Sequence, residues 1–322
     1  MNPRYRQALI VAGLGLAAIL WALAAPGSSG FALLVGSAAI PVAALLLVAG
    51  RLQAMPPLSA LVGGGTIGVV IAVIGHVVVF SFAYAFFLGF ADAAVQVLEV
   101  LRVDPRFTAV AGSPWTILLF IELAVVAPLL EEVGKAVGAS VFRPIDRRGA
   151  FMAGVAAGTG FAIVENILYA LGGSFLGPSW EAIVIGRMLG AAVHPLASGL
   201  VVMGWWEWRR NRDFGLLAQR FLAGAGAHAI WNASIVVISI VASAYDVLEW
   251  FGLASLGYSA ALGAVLAAAL WRLAASVASD TDRLIVFDSG DGRLVAAWTV
   301  LAASFLVPVA MLILAFPTFV GG

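Results

Sequence analysis

Residues 126–142 read VAPLLEEVGKAVGASVF, and this stretch decides how the chain is understood. Most of it has the small, apolar composition of a helix buried in lipid. Inside it stand two adjacent carboxylates, Glu131 and Glu132, followed by Lys135, the sole lysine of the sequence. On a helix Glu131 and Lys135 are i,i+4 and Glu132 and Lys135 are i,i+3. Glutamate lies on the N-terminal side, the better order for pairing. A charge at the centre of a bilayer is costly, so ionisable residues inside a span are functional candidates by default.

The surrounding sequence supports the membrane reading. Of 322 residues, 63% are hydrophobic and 11% charged, and mean hydropathy is +1.07. Soluble domains are about 45–50% apolar and about 25% charged. The chain therefore reads as an all-α, polytopic transmembrane helical bundle, an integral membrane protein whose medium is the lipid bilayer. Net charge is zero, so nothing points to a nucleic-acid partner. Cysteine is absent, which excludes disulfides, thiolate nucleophiles and thiolate metal ligands.

At roughly 20 residues per span, about nine apolar segments are expected. They lie near 7–25, 31–49, 60–90, 115–142, 149–171, 182–206, 217–243, 248–275 and 294–316. The first resembles a secretory signal but is long and followed by more spans, so it reads as an uncleaved span. The third is long enough to hold a break at VGGGT, 62–66. Most arginines fall on one side if the N-terminus is inside, whereas Arg102 and Arg106 fall in outer loops, an N-in arrangement by the positive-inside rule. The expected division is 1–114, N-terminal spans and an outer loop; 115–243, a four-helix catalytic core; and 244–322, C-terminal spans with a cytoplasmic loop. Loop 91–114 reads either as a helix lying on the outer surface or as a plain connector. RLIVF, 283–287, reads as a short strand.

Four spans carry polar groups. Beside the Glu-Glu-Lys set, the fifth has Phe161, Glu165, Asn166 and Tyr169, the sixth Arg187, His194 and Ser198, and the seventh His228 and Asn232. At 1.5 Å per residue, Glu131, His194 and His228 each lie roughly 17–18 Å from the cytoplasmic end of their spans. Glu165 falls nearer the outside. His228 and Asn232 share a face, as do Phe161, Glu165 and Tyr169. Pro128 and Pro195 each remove a helix hydrogen bond close to this level, which favours a hydrated cavity there. Glu122 and Arg187 are expected to snorkel at span ends, Tyr169 to be an interface aromatic, and His76 to be a packed polar residue. Asn166 and Ser198 read as interhelical hydrogen-bond partners or as supports of a site.

Two histidines and a carboxylate with an open position form a catalytic zinc arrangement. On that reading Glu165, His194 and His228 are the ligands, with Glu131 or Glu132 as general base on the attacking water. Lys135 orients the neighbouring carboxylate, and Asn232 donates to the developing oxyanion. A metal-free version, in which a glutamate activates water directly, uses the same residues. No HExxH motif is present.

These residues also carry a resemblance. EEVGK (131–135), GFAIVENILYAL (160–171), HPLASG (194–199) and HAIWN (228–232) resemble, in order and one per span, the motifs of the PrsW family of intramembrane proteases. A more distant similarity extends to CAAX prenyl proteases and to the Aph subunit of gamma-secretase. The resemblance implies an all-helical core and proteolysis in or near the membrane of a membrane-anchored protein of anti-sigma-factor type, in a bacterial plasma membrane. It places Glu131, Glu132, Glu165, His194, His228 and Asn232 in the site. The alternatives are a non-catalytic scaffold and a proton-coupled transporter.

Overall fold

The computed structural model describes residues 3–24, 30–144, 146–172, 180–245 and 248–279. In chain order the helices are α1 (Pro3–Ala24), α2 (Gly30–Leu52), α3 (Leu58–Gly63), α4 (Val69–Val100), α5 (Pro105–Ala111) and α6 (Pro114–Ile121). They continue with α7 (Ala127–Ala139), α8 (Arg147–Gly172), α9 (Trp180–Leu189), α10 (Val193–Asn211), α11 (Phe214–Ala244) and α12 (Leu248–Ser279). Two π turns, Gly64–Gly68 and Glu122–Val126, join α3 to α4 and α6 to α7. No strand occurs among the described residues. The chain is an all-α, polytopic helical membrane protein.

Among the described residues, six helices are long and apolar enough to cross a bilayer: Pro3–Ala24, Gly30–Leu52, Leu58–Val79, Arg147–Leu171, Phe214–Ala244 and Gly252–Ala278. A seventh is the pair α9 and α10, bent by 46°. The rod that holds the glutamates, Pro114–Ala139, runs unbroken through its π turn and is not among them. The expected ninth segment and the RLIVF stretch lie outside the described residues.

The expected break at 62–66 is instead a π turn inside one continuous helix. Its cause is packing. A side chain at Gly63 or Gly64 would run into the backbone of Gly138 or Ala157, and a Cβ at Gly134 would meet Gly68 O at 2.6 Å. The turn is thus wedged between α7 and α8 at backbone contact. Residues 91–100, expected in an outer loop, are the last turns of α4. The chain then turns at Arg102, in the left-handed region at φ 53°. Asp104 caps α5 by accepting from Arg106 N at 2.8 Å, with Pro105 in the first turn.

Helix α8 is the central element, packed on α2, α3, α7, α9, α10 and the Gly64–Gly68 π turn. Phe151, Met152 and Val155 on α8 are fully buried with Leu52 and Met203 in the largest apolar cluster. Its Gly154 and Gly158 face α10. A Cβ at either would strike the carbonyl of Ser198 or of His194. Small residues at this seam let two backbones close to a distance that larger ones forbid. At one end of the bundle, Glu207 pairs with Arg147 at 2.8 Å and Arg220 at 3.2 Å. Nearby Arg148 donates to the carbonyls of Leu52 and Ala278. These contacts tie α8, α10, α11, α2 and α12 together.

Candidate active site

Four helices bring their polar residues to one point. From α7 come Glu131, Glu132 and Lys135, all buried. Lys135 Nζ donates to Glu132 Oε1 at 2.7 Å and to Glu131 Oε2 at 3.2 Å. It also lies 2.8 Å from His194 Nδ1 on α10 and 4.2 Å above the ring of Phe161 on α8. An ammonium has three N–H donors and no acceptor. All three are directed at partners within this cluster.

The partners fix the hydrogen-bonding roles. Because Lys135 only donates, His194 Nδ1 accepts, and the neutral ring carries its proton on Nε2. That nitrogen lies 3.1 Å from Glu165 Oε2, close but not well aligned as a hydrogen bond, since the same oxygen lacks an aligned partner. His228 on α11 approaches Glu132 Oε1 with Nδ1 at 3.1 Å. Its Nε2 is 3.7 Å from Glu131 Oε2. The two imidazoles meet edge to face, ring centroids 4.7 Å apart. Ser198 Oγ donates to Glu132 Oε2 at 2.8 Å.

Glu132 therefore accepts from Lys135, His228 and Ser198 and has both oxygens engaged. Glu131 accepts one hydrogen bond, from Lys135, and lines a cavity of about 630 Å³. The cavity lies among α4, α6, α7, α8, α9, α11 and α12, and its wall is mostly apolar. Phe161, Glu165, Tyr169, Arg187, Trp231 and Asn232 are among its lining residues.

Other expected positions fall less simply. Glu165 is held by Arg187, whose Nη2 lies 2.5 Å from Glu165 Oε1, with the guanidinium 4.2 Å above the ring of Tyr169. Arg187, expected to snorkel, and Tyr169, expected as an interface aromatic, both line the cavity, Arg187 from α9 and Tyr169 from α8. Asn232 Nδ2 donates to Leu123 O at 2.8 Å, a carbonyl in the Glu122–Val126 π turn, so it couples α11 to that turn. Asn166 is buried, and its Nδ2 lacks a protein partner among the described residues. The His76 Nδ1 and Glu122 Oε1 atoms meet in a close contact at the cavity wall, so His76, expected as a packed polar residue, and Glu122, expected to snorkel, are each other's partners. Each carries an ordinary polar side chain, and only the crossing of α4 with the π turn reveals the pair.

Glu131, His194 and His228 each offer one donor atom within 4.8 Å of the others. One carboxylate and two imidazoles suit a divalent metal of the zinc type. The contact of His228 Nδ1 with Glu132 matches the usual support of a metal-bound histidine by a carboxylate. The lone pairs of Glu131 and of His228 Nε2 are accessible to an ion, and that of His194 Nδ1 is occupied by Lys135. The residues thus fit a metal once Lys135 withdraws from His194. Glu165, expected as a ligand, lies on the far side of the His194 ring, bound to Arg187.

A carboxylate beside a cavity, braced by histidines and a lysine within apolar helices, is a set of groups that suits hydrolysis inside the membrane. The chain belongs to the PrsW family: the family model described as PrsW family intramembrane metalloprotease matches residues 56–258. It is thus an intramembrane endopeptidase of a metalloprotease family, embedded in the lipid bilayer and acting on a protein substrate. The match begins at residue 56, so α3 and α4 belong to the family unit together with the motif-bearing helices. No curated protein and no solved structure matches the chain.

Proposed function

We propose that the chain hydrolyses a peptide bond in or near the membrane span of a membrane-anchored protein, with Glu131 as general base. The observation that carries this is the asymmetry of the two glutamates. Glu132 has both oxygens engaged by Lys135, His228 and Ser198. Glu131 faces the cavity with capacity to spare. A base must reach a water beside the bond to be cut, and Glu131 has that access.

In the reaction one water is consumed. Its oxygen attacks the carbonyl carbon while Glu131 takes its proton. The same carboxyl then gives the proton to the departing amide nitrogen as the C–N bond breaks, leaving a carboxylate and an amine. Asn232 has a second amide N–H beyond the one given to Leu123 O, and this donor serves the oxyanion. Lys135 holds both glutamates in place and offsets their charge. The base role of Glu131 belongs to the metal-free version; zinc, the proposed metal, would be held by Glu131, His194 and His228 and would then itself supply Lewis acidity toward water and carbonyl. The apolar cavity wall suits a hydrophobic substrate segment. The family resemblance supports an anti-sigma-factor-like substrate and a bacterial plasma membrane, and the placement of the arginines supports the N-in orientation.

The test is co-expression of the full chain with a membrane-anchored anti-sigma factor, followed by sequencing of new fragment termini. Glu131→Gln should remove the fragment while protein level and monodispersity in detergent stay as in the wild type. A fragment formed at the wild-type rate in that variant overturns the assignment.

A further inference from the structure

The described mechanism leaves one buried cation without a task. Arg187 sits on α9, its side chain 14% exposed, beside the mouth of the bend that leads into α10. An arginine at membrane depth is costly, and a largely buried salt bridge adds little stability by itself. Its contacts run toward the site. Nη2 lies 2.5 Å from Glu165 Oε1, and the guanidinium plane lies over Tyr169. The other Glu165 oxygen stands 3.1 Å from His194 Nε2, and the far nitrogen of that ring receives Lys135. Arg187, Glu165, His194 and Lys135 thus stand in a line of close contacts ending on Glu131 and Glu132, with the Glu165–His194 approach short but not aligned as a hydrogen bond.

From this line we infer that Arg187 is a positioning residue for the hydrolytic site, holding the Glu165 carboxylate where it fixes the tautomer and orientation of His194. The inference rests on the protease reading for its kinetic arm and is independent of it for its spectroscopic arm. A planar guanidinium clamps a carboxylate in one orientation better than an ammonium does. Tyr169 limits the motion of the clamp by covering one face. Glu165, an acceptor at both oxygens, and Lys135, a donor only, then require the same His194 tautomer, with the proton on Nε2. A chain in which each partner demands the same ring state needs no rearrangement when substrate arrives.

The experiment uses full-length protein in detergent labelled with ¹⁵N-histidine. There are only three histidines, so single substitutions assign every ring. Wild type freed of metal by a chelator should show His194 protonated on Nε2 and unprotonated on Nδ1. In Arg187→Gln that pattern should shift toward mixed tautomers while His76 stays unchanged. In cleavage assays kcat should fall about 10- to 100-fold, the range expected when an orienting contact is lost, with KM within twofold. Arg187→Lys should keep the His194 pattern and recover part of kcat. The double variant with Glu165→Gln should be no slower than the slower single one. Unchanged His194 resonances in Arg187→Gln overturn the inference, as does equal kcat loss in Arg187→Lys and Arg187→Gln. Should Arg187→Gln not fold, Arg187→Lys alone decides by its His194 pattern: a wild-type pattern with reduced kcat supports positioning, and a lost pattern overturns it. Loss of the protease reading itself shows up separately, as cleavage that survives Glu131→Gln.

Discussion

Lys135 Nζ lies 2.8 Å from His194 Nδ1, two residues 59 apart in the chain and on different helices. A lysine from α7 thus occupies the lone pair that α10 would otherwise present to a cation. The contact links the two halves of the site and makes Lys135 the hub of its electrostatics.

Substituting Lys135→Met should test that role. It leaves Glu131 and Glu132 buried without their counter-charge, a loss that costs about 3–5 kcal/mol when one member of a buried pair is removed. Thermal unfolding in detergent should move to lower temperature and cleavage should be lost. With His194 Nδ1 freed, zinc should bind more tightly than to the wild type in an equilibrium titration. Unchanged zinc affinity would show that ammonium and metal do not compete.

Metal content of the purified chain gives a second prediction. Elemental mass spectrometry should find about one zinc per wild-type chain. The metal should be lost in His228→Ala and in His194→Ala and kept in Glu165→Gln. Loss in Glu165→Gln and retention in Glu131→Gln would move the carboxylate ligand from α7 to α8.

The seam between α8 and α10 yields a third. Gly158→Ala places a methyl against the His194 carbonyl, and Gly154→Ala does so against Ser198. Either should push α10 outward and lower kcat about 100-fold, since displacement of a catalytic group by about 1 Å costs that order. Gly226→Ala on α11 meets no atom within 4 Å. It should retain activity and melt slightly higher, as helix-interior glycine is about 0.5–1 kcal/mol worse than alanine. Equal effects at all three positions would remove the packing explanation.

Ser198→Ala supplies a fourth. The hydroxyl gives Glu132 Oε2 its hydrogen bond, and bonds to charged groups contribute about 1.5–3 kcal/mol. The variant should unfold at lower temperature and cleave several-fold more slowly, while Ser198→Thr should recover most of both. A wild-type melting profile in Ser198→Ala would show that the bond is not formed in solution.

Several features were legible in the linear chain. Apolar composition required helices in lipid, because backbone polar groups there must be satisfied within each segment. Helical spacing put Glu131, Glu132 and Lys135 within mutual reach. The 1.5 Å rise set Glu131, His194 and His228 at a common depth, and the structure does bring their donor atoms together. The ordered motifs pointed to the family that the match over residues 56–258 establishes.

What the chain alone left undecided depended on rotation of helices about their axes and on where they bend. Depth along a span says nothing of which way a side chain faces. Glu131 and Glu132 are neighbours in sequence, yet one meets the cavity and the other three partners, a difference set by how α10 and α11 pack on α7. Arg187 read as a span-end residue because the 46° bend between α9 and α10 is not written in local hydropathy. The pairing of His76 with Glu122 needed a helix crossing 46 residues distant in sequence. The sequence by itself determined the medium, the helical class and the inventory of reactive groups, since these follow from composition and local periodicity. The tertiary structure alone decided which groups touch, because contact depends on the close approach of backbones at Gly154, Gly158 and the π turns.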